Sequence, residues 1–73
     1  MKLHYDPETD SLYIDFNARP GADSQEIAEG VVVDFDEAGS IVGIDIQHAS
    51  QVVDLTTLEV DRLPASTGKG AAG

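Results

Sequence analysis

Apolar and polar residues alternate along most of this chain with the period of two that marks strands half-buried on one face. In Lys2–Tyr5, Leu3 and Tyr5 share a side. The run DPETD at residues 6–10 predicts a turn, with Pro7 fixing φ and the Asp6 carboxylate accepting nearby backbone N–H groups. Leu12–Phe16 is a second strand, with Leu12, Ile14 and Phe16 on one face and Tyr13 and Asp15 on the other. Residues 17–24, which hold Pro20 and Gly21, predict a loop. A third strand spans Ile27–Asp36: Val31, Val33 and Phe35 face together, opposite Val32, Asp34 and Asp36. Gly30 reads as a bulge or a close backbone approach ahead of its apolar run. Ile41–Gln47 is the fourth, with Val42, Ile44 and Ile46 opposite Ile41, Gly43, Asp45 and Gln47.

Hairpins are the economical links between such strands, because parallel pairing needs a long crossover. The predicted fold is therefore α+β and mostly β: a four-stranded antiparallel meander with a short C-terminal helix. Ser50 or Asp54 suits a helix cap, and Leu55, Leu58 and Leu63 form roughly one helical face. This predicts a helix over 54–63, stopped by Pro64, although Val52 and Val53 leave residues 50–63 open to a strand instead. Residues 1–63 form a single small β-rich domain, and 64–73, rich in Gly and Ala and without an apolar period, predict a disordered tail.

The stretch DFDEAGSIVGID at residues 34–45 superficially resembles a calcium loop. Counted from Asp34, Asp36 and Gly39 fall where such a loop needs them. Ala38 fills a ligand position without an oxygen, Asp45 replaces the longer bidentate Glu, and the flanks are strands rather than helices. A hairpin accounts for more residues. Pairing Phe35 with Val42, Val33 with Ile44 and Val31 with Ile46 matches their faces. Glu37–Ser40 then connect the strands, with Gly39 free to take positive φ and Asp36 satisfying turn N–H groups. Asp34 lies opposite Gly43, and Asp45 opposite Val32.

Seventy-three residues allow one small core, and the absence of cysteine removes disulfides and thiolate metal sites as reinforcement. Association is the remaining remedy, so a homo-oligomer, specifically a dimer, is expected. Fourteen acidic and four basic residues give a formal net charge of -10. That charge repels nucleic acid and anionic membranes, and suits a basic protein partner. No apolar run approaches a membrane span, and no basic-then-apolar export segment opens the chain, so a cytoplasmic location is expected.

Candidate chemistry is sparse. Asp15, Asp34 and Asp45 share the outward face as an acidic patch that keeps it wet, and an open meander offers these carboxylates no cleft. His4 and His48 are the two histidines, and their spacing does not mark a metal site. Gly21, Gly30, Gly39 and Gly43 make no phosphate-cradling motif. No side chain stands in an arrangement that activates a nucleophile. No catalytic residue, metal ligand or cofactor is therefore assigned, and the chain is not expected to be an enzyme. Apolar contact surface is expected on both faces: Tyr13, Val32 and Ile41 outward, and Phe16, Phe35, Val42 and Ile44 on the incompletely covered inner face.

Three stretches carry a family resemblance: YDPETDSLYI at 5–14, EGVVVDFD at 29–36, and GSIVGIDI at 39–46 with Ala49-Ser50 behind it. In order and spacing, over residues 2–63, the chain resembles the small bacterial proteins of domain-of-unknown-function family 2283. Those proteins read Y-D-x-x-x-D-x-L-Y-I, then an acidic-Gly-hydrophobic strand, then D-x-x-G-x-I-V-G-I-E-I-x-x-A-S. This chain differs in having Asp45 where Glu is usual and in its long spacer from Ala18 to Glu26. The resemblance implies a small, mostly-β cytoplasmic protein and supplies no catalytic residues. It also implies, for some members, a small partner encoded beside a toxin-like protein.

The expected function is a small acidic interaction or structural module that self-associates. One alternative is the neutralising partner of a basic ribonuclease-like toxin, favoured by charge complementarity. The other is a divalent-metal-dependent hydrolase using Asp34, Asp45 and a histidine.

Overall fold

The computed structural model describes residues 1–64. The tail expected to be disordered lies, from residue 65 on, outside the described residues. Five strands form one sheet: β1 (Lys2–Asp6), β2 (Ser11–Asp15), β3 (Asp23–Ala28), β4 (Val31–Phe35) and β5 (Ile41–Gln47), followed by the one-turn helix α1 (Ala49–Val52). The spatial order is β1-β2-β5-β4-β3, and every neighbouring pair is antiparallel.

The sheet is thus antiparallel, as expected, but it has five strands rather than four. The missed strand is β3, sequence DSQEIA, every residue of which is exposed. Its sequence shows no apolar alternation, so the pattern leaves Asp23 and Ser24 in the expected loop and draws only Ile27 and Ala28 into a strand. The expected strand over Ile27–Asp36 is in fact two. Gly30, at φ +77, reverses the chain between β3 and β4, and Glu26 Oε2 accepts its N–H at 3.1 Å. A register shift between Glu26 and Ala28 marks a bulge beside that turn.

Nor is the sheet a meander. β5 lies between β2 and β4, so the chain must leap from β2 to the far edge before returning. Residues 16–22 make this Greek-key crossing, over about 14 Å at three strand spacings. They pass the β4–β5 turn, where Ala22 N–H donates to Phe35 O at 2.7 Å and Arg19 Nε lies 3.3 Å from Asp36 Oδ2.

The β4–β5 hairpin keeps most of the expected register. Val31 pairs with Ile46, Val32 with Asp45, Val33 with Ile44, and Asp34 with Gly43. Phe35, however, pairs with Ile41 rather than Val42. The turn explains why. Asp36 N–H donates to Ser40 O at 2.8 Å, while Asp36 Oδ1 accepts the N–H groups of Ala38 and Ser40, both at 2.9 Å. Gly39 takes φ +86. This tight closure sets a register one residue short of the one that aligns the apolar faces further along. Val42 is the extra residue that absorbs the difference as a bulge.

One face gathers Leu12, Ile14, Ile44, Ile46, Val31 and Val33 through the pairings Leu12–Ile46, Ile14–Ile44, Val31–Ile46 and Val33–Ile44. Ala49, fully buried, and Val53 pack onto Leu12 and Ile46 there. The helix is therefore Ala49–Val52, not 54–63, and the segment after it carries no regular secondary structure up to residue 64. A two-turn helix without a packed face is marginal in water. Asp54 instead closes a local turn, accepting Thr56 N–H at 2.9 Å and Thr56 Oγ1–H at 2.5 Å, which holds its carboxyl below the usual range.

α1 is held from outside. His48, which precedes it in left-handed backbone at φ 53, makes no side-chain cap. Asp10, in the β1–β2 turn, supplies the missing acceptors. Its carbonyl takes Ala49 N–H at 2.9 Å, and its carboxylate takes Ser50 N–H at 3.1 Å and Ser50 Oγ–H at 2.7 Å. Tyr5 Oη–H donates to the same carboxylate at 2.8 Å. The Ser50 hydroxyl first, then the Tyr5 hydroxyl, hold the Asp10 carboxyl below its ordinary range. Asp10 itself sits at φ 55, a region Asp and Asn tolerate better than Ala. Asp10→Ala should therefore lower the thermal midpoint more than Asp10→Asn, and both more than Glu8→Ala, as followed by circular dichroism. Equal midpoints for all three would refute the clamp.

Candidate functional site

The most organised side chains lie on the opposite face. Tyr13 on β2 crosses over Gly43 on β5, and its hydroxyl donates to Asp34 Oδ2 on β4 at 2.9 Å. Ser24 Oγ on β3 donates to Asp34 Oδ1 at 2.8 Å. A single row of polar contacts thus runs across four strands. It exists because Gly43 has no side chain: a Cβ there would overlap the Tyr13 phenolic oxygen, and would lie 2.7 Å from its Cζ and 3.0 Å from Ile14 O. A glycine inside a strand commonly marks this kind of close approach.

The expected acidic patch is brought together around this tyrosine. Asp45 pairs with Tyr13, while Asp15 and Asp34 flank Gly43 from either side. Asp15, Asp34 and Asp45 are all half-buried. The hydrogen bond to Asp34 is the main reason the Tyr13 phenol is pushed up to about 12, with burial and the charges of Asp34, Asp15 and Asp45 adding to it. Tyr5 is also raised, chiefly by its bond to Asp10. Both oxygens of Asp34 are occupied by hydroxyl donors. Among the described residues, no three His, Asp or Glu side chains converge as a ligand set. His4, on β1, and His48, before α1, are exposed. A phenol held protonated far above neutral pH serves as a hydrogen-bond donor, not as a base or nucleophile near pH 7.

The expected apolar contact residues separate. Phe16 and Ile41 are exposed; Tyr13, Val32, Phe35 and Ile44 are half-buried; Val42 is buried at the bulge and offers no contact surface. A shallow apolar groove opens elsewhere, between β1–β2 and the segment after α1. Leu3, Tyr5, Leu12, Val53, Leu55 and Leu58 line it.

Sequence reasoning missed Asp10 and Ser24 as organising residues, and it read Ser50 as a candidate helix cap rather than as the donor to Asp10. For Asp10 and Ser50 a signal existed: both belong to the motif stretches, forty positions apart. Ser24 lies in the strand that the pattern concealed, so nothing pointed to it.

Two measurements check this face. Gly43→Ala should cost about 1–3 kcal/mol in denaturant unfolding, the range for forced overpacking. Its cost should be smaller in a Tyr13→Ala background, and an unchanged cost would refute the steric account. The second is tyrosinate absorbance against pH. The fold favours the neutral Tyr13 phenol, raised above the ordinary 10.0, so its contribution to stability is whole below pH 10 and is lost as pH rises through about 12. Asp34→Asn should bring the later ionisation step back toward 10, and Tyr13→Phe should abolish it.

Comparison with known proteins adds identity without adding chemistry. The chain is 35% identical over 57 residues to the uncharacterized protein MJ0789 of the archaeon Methanocaldococcus jannaschii, covering 75% of this chain and 47% of that protein. It therefore spans about half the length of the relative it matches. No solved structure matches it. The family model described as "Protein of unknown function (DUF2283)" matches residues 2–50, the span that contains all five strands and the Asp10–Ser50 clamp, and the chain belongs to that family.

Proposed function

We propose that this domain is a small acidic protein-interaction module that self-associates. The observation that carries it is the thinness of its core. The fold is one sheet with a single helical turn on one face, and the buried apolar residues are Leu12, Val33, Val42, Ile46 and Ala49. Outside them, Leu58, Val60 and Leu63 follow one another at 72%, 61% and 72% exposure, with Leu3, Tyr5 and Leu55 also open to solvent. Leu3, Tyr5, Leu55 and Leu58 line one groove, and exposed apolar residues gathered in this way mark a contact site rather than ordinary scatter. A domain of this size gains from association what it lacks in core.

The two polar centres support the same reading. Tyr13–Asp34–Ser24 and Asp10–Ser50–Tyr5 are each closed networks, in which donors and acceptors satisfy one another. They brace the sheet so that its surface is presented rigidly. The net charge of -10 disfavours a phosphate backbone as the bound partner and leaves protein surfaces as the natural class. A cytoplasmic location fits this role. No helix among the described residues is long and apolar enough to cross a membrane.

Sedimentation equilibrium at micromolar concentration is the direct test. The expected mass is twice that of the chain, falling toward one chain in a Leu58→Asp variant that keeps its circular dichroism spectrum. A single-chain mass for the unmodified protein across that range would overturn the proposal.

A further inference from the structure

The sheet has two open edges, β1 and β3, and they differ in kind. β3 carries Asp23 and Glu26 without a cation, and it is bulged between Glu26 and Ala28. Charge and bulge together are how an edge resists pairing. β1 pairs with β2 in unbroken register from Lys2 to Asp6 and holds neither proline nor bulge. Its sequence, KLHYD, is also self-complementary when reversed. An antiparallel copy centred on His4 sets Lys2 opposite Asp6 of the second chain, Leu3 opposite Tyr5, and Tyr5 opposite Leu3, with Asp6 opposite Lys2 closing the set.

From this we infer that β1 is the self-association edge, pairing with β1 of a second copy about a two-fold axis through His4; the inference rests on the self-association proposed above. Three observations converge on it. The charges match twice across the axis. Lys2 is exposed and makes no ion pair among the described residues, and Asp6 engages Glu8 N–H through Oδ1, leaving Oδ2 uncommitted. The apolar pair also matches: Leu3 and Tyr5 are 45% and 39% exposed, and each would meet the other's counterpart. They lie on the side of the sheet that carries the apolar groove, where Leu55 and Leu58 stand open, so two grooves would become continuous across the axis. The symmetry is closed, which limits assembly to two chains. Pairing β1 with β3 would be head-to-tail and open-ended, and β3 with β3 would set carboxylates together without a cation.

The absence of cysteine from the chain makes the geometry testable by cross-linking. Directly opposed residues in an antiparallel pair have Cα atoms about 4.5–5.5 Å apart, within the range a disulfide spans. His4→Cys should oxidise to a covalent dimer whose circular dichroism and native mass equal those of the unmodified dimer. Gln25→Cys on β3 should stay unlinked under the same conditions. Lys2→Glu should weaken dimerisation at least tenfold by sedimentation, and Lys2→Glu with Asp6→Lys, which exchanges the two charges, should restore it. If the unmodified protein is a dimer but His4→Cys does not link and Lys2→Glu leaves its affinity unchanged, the β1 edge is wrong while self-association stands. Linking through Gln25→Cys instead would likewise overturn it in favour of β3. A single-chain mass for the unmodified protein would overturn both proposals together.

Discussion

β5 is inserted between β2 and β4, and the strand ladders of the two halves of the sheet are joined only through it. The β1–β2 hairpin lies on one side and the β3–β4 hairpin on the other. Neither half has a second layer large enough to hold it in place. The arrangement therefore depends on contacts that cross this seam. Tyr13 crosses it directly, from β2 over Gly43 to Asp34 on β4. Asp10 reaches past its end, from the first turn to the helix that follows β5. One works on each face, so the central strand is fastened above and below. The Greek-key crossing adds a third fastening at the far end, where Ala22 meets Phe35 and Arg19 meets Asp36.

These fastenings give physical content to the family pattern. Asp10, Tyr13, Asp34, Gly43, Ala49 and Ser50 stand in the three motif stretches, and each has a structural partner drawn from another stretch, while Tyr5 binds Asp10 within its own. Tyr13 needs the space that Gly43 leaves, and Asp34 needs the hydroxyl that reaches it. Asp10 needs the two donors that Ala49 and Ser50 present. These residues of the matched span are thus accounted for by the need to hold a one-layer sheet together. Their polar groups are turned toward one another rather than toward an empty centre, which is why the function is sought at the sheet's edge and apolar face.

The β4–β5 hairpin shows two local rules in conflict. Asp36 and Gly39 favour a tight turn closed between Asp36 and Ser40. The apolar alternation favours a register one residue longer. Both are kept because Val42 bulges out of the ladder, and the register agrees with the pattern from Asp34–Gly43 onward. Val42, at this bulge, is buried and so is out of play as a contact residue.

By itself the sequence determined the strands that have one buried face. Leu12–Phe16, the Val31–Phe35 part of the expected Ile27–Asp36 strand, and Ile41–Gln47 alternate, and alternation follows from burial on one side. It determined the turn chemistry of Asp6, Asp36 and Gly39, because these residues act on backbone groups only a few positions away. It brought Asp15, Asp34 and Asp45 to one face, since a period of two suffices for that. Only the tertiary structure decided what depends on distant neighbours. β3 has no buried face and takes its conformation from pairing with β4. The strand order rests on which partner β5 meets, and no local pattern encodes that choice. The helix lies at Ala49–Val52 rather than 54–63 because acceptors on Asp10, forty residues earlier, stabilise one turn there, while Leu55 and Leu58 reach the groove beside Leu3 and Tyr5 from a segment without regular structure. The same distance hid the site: a tyrosine, a glycine and an aspartate look unrelated until the sheet lays one across the other.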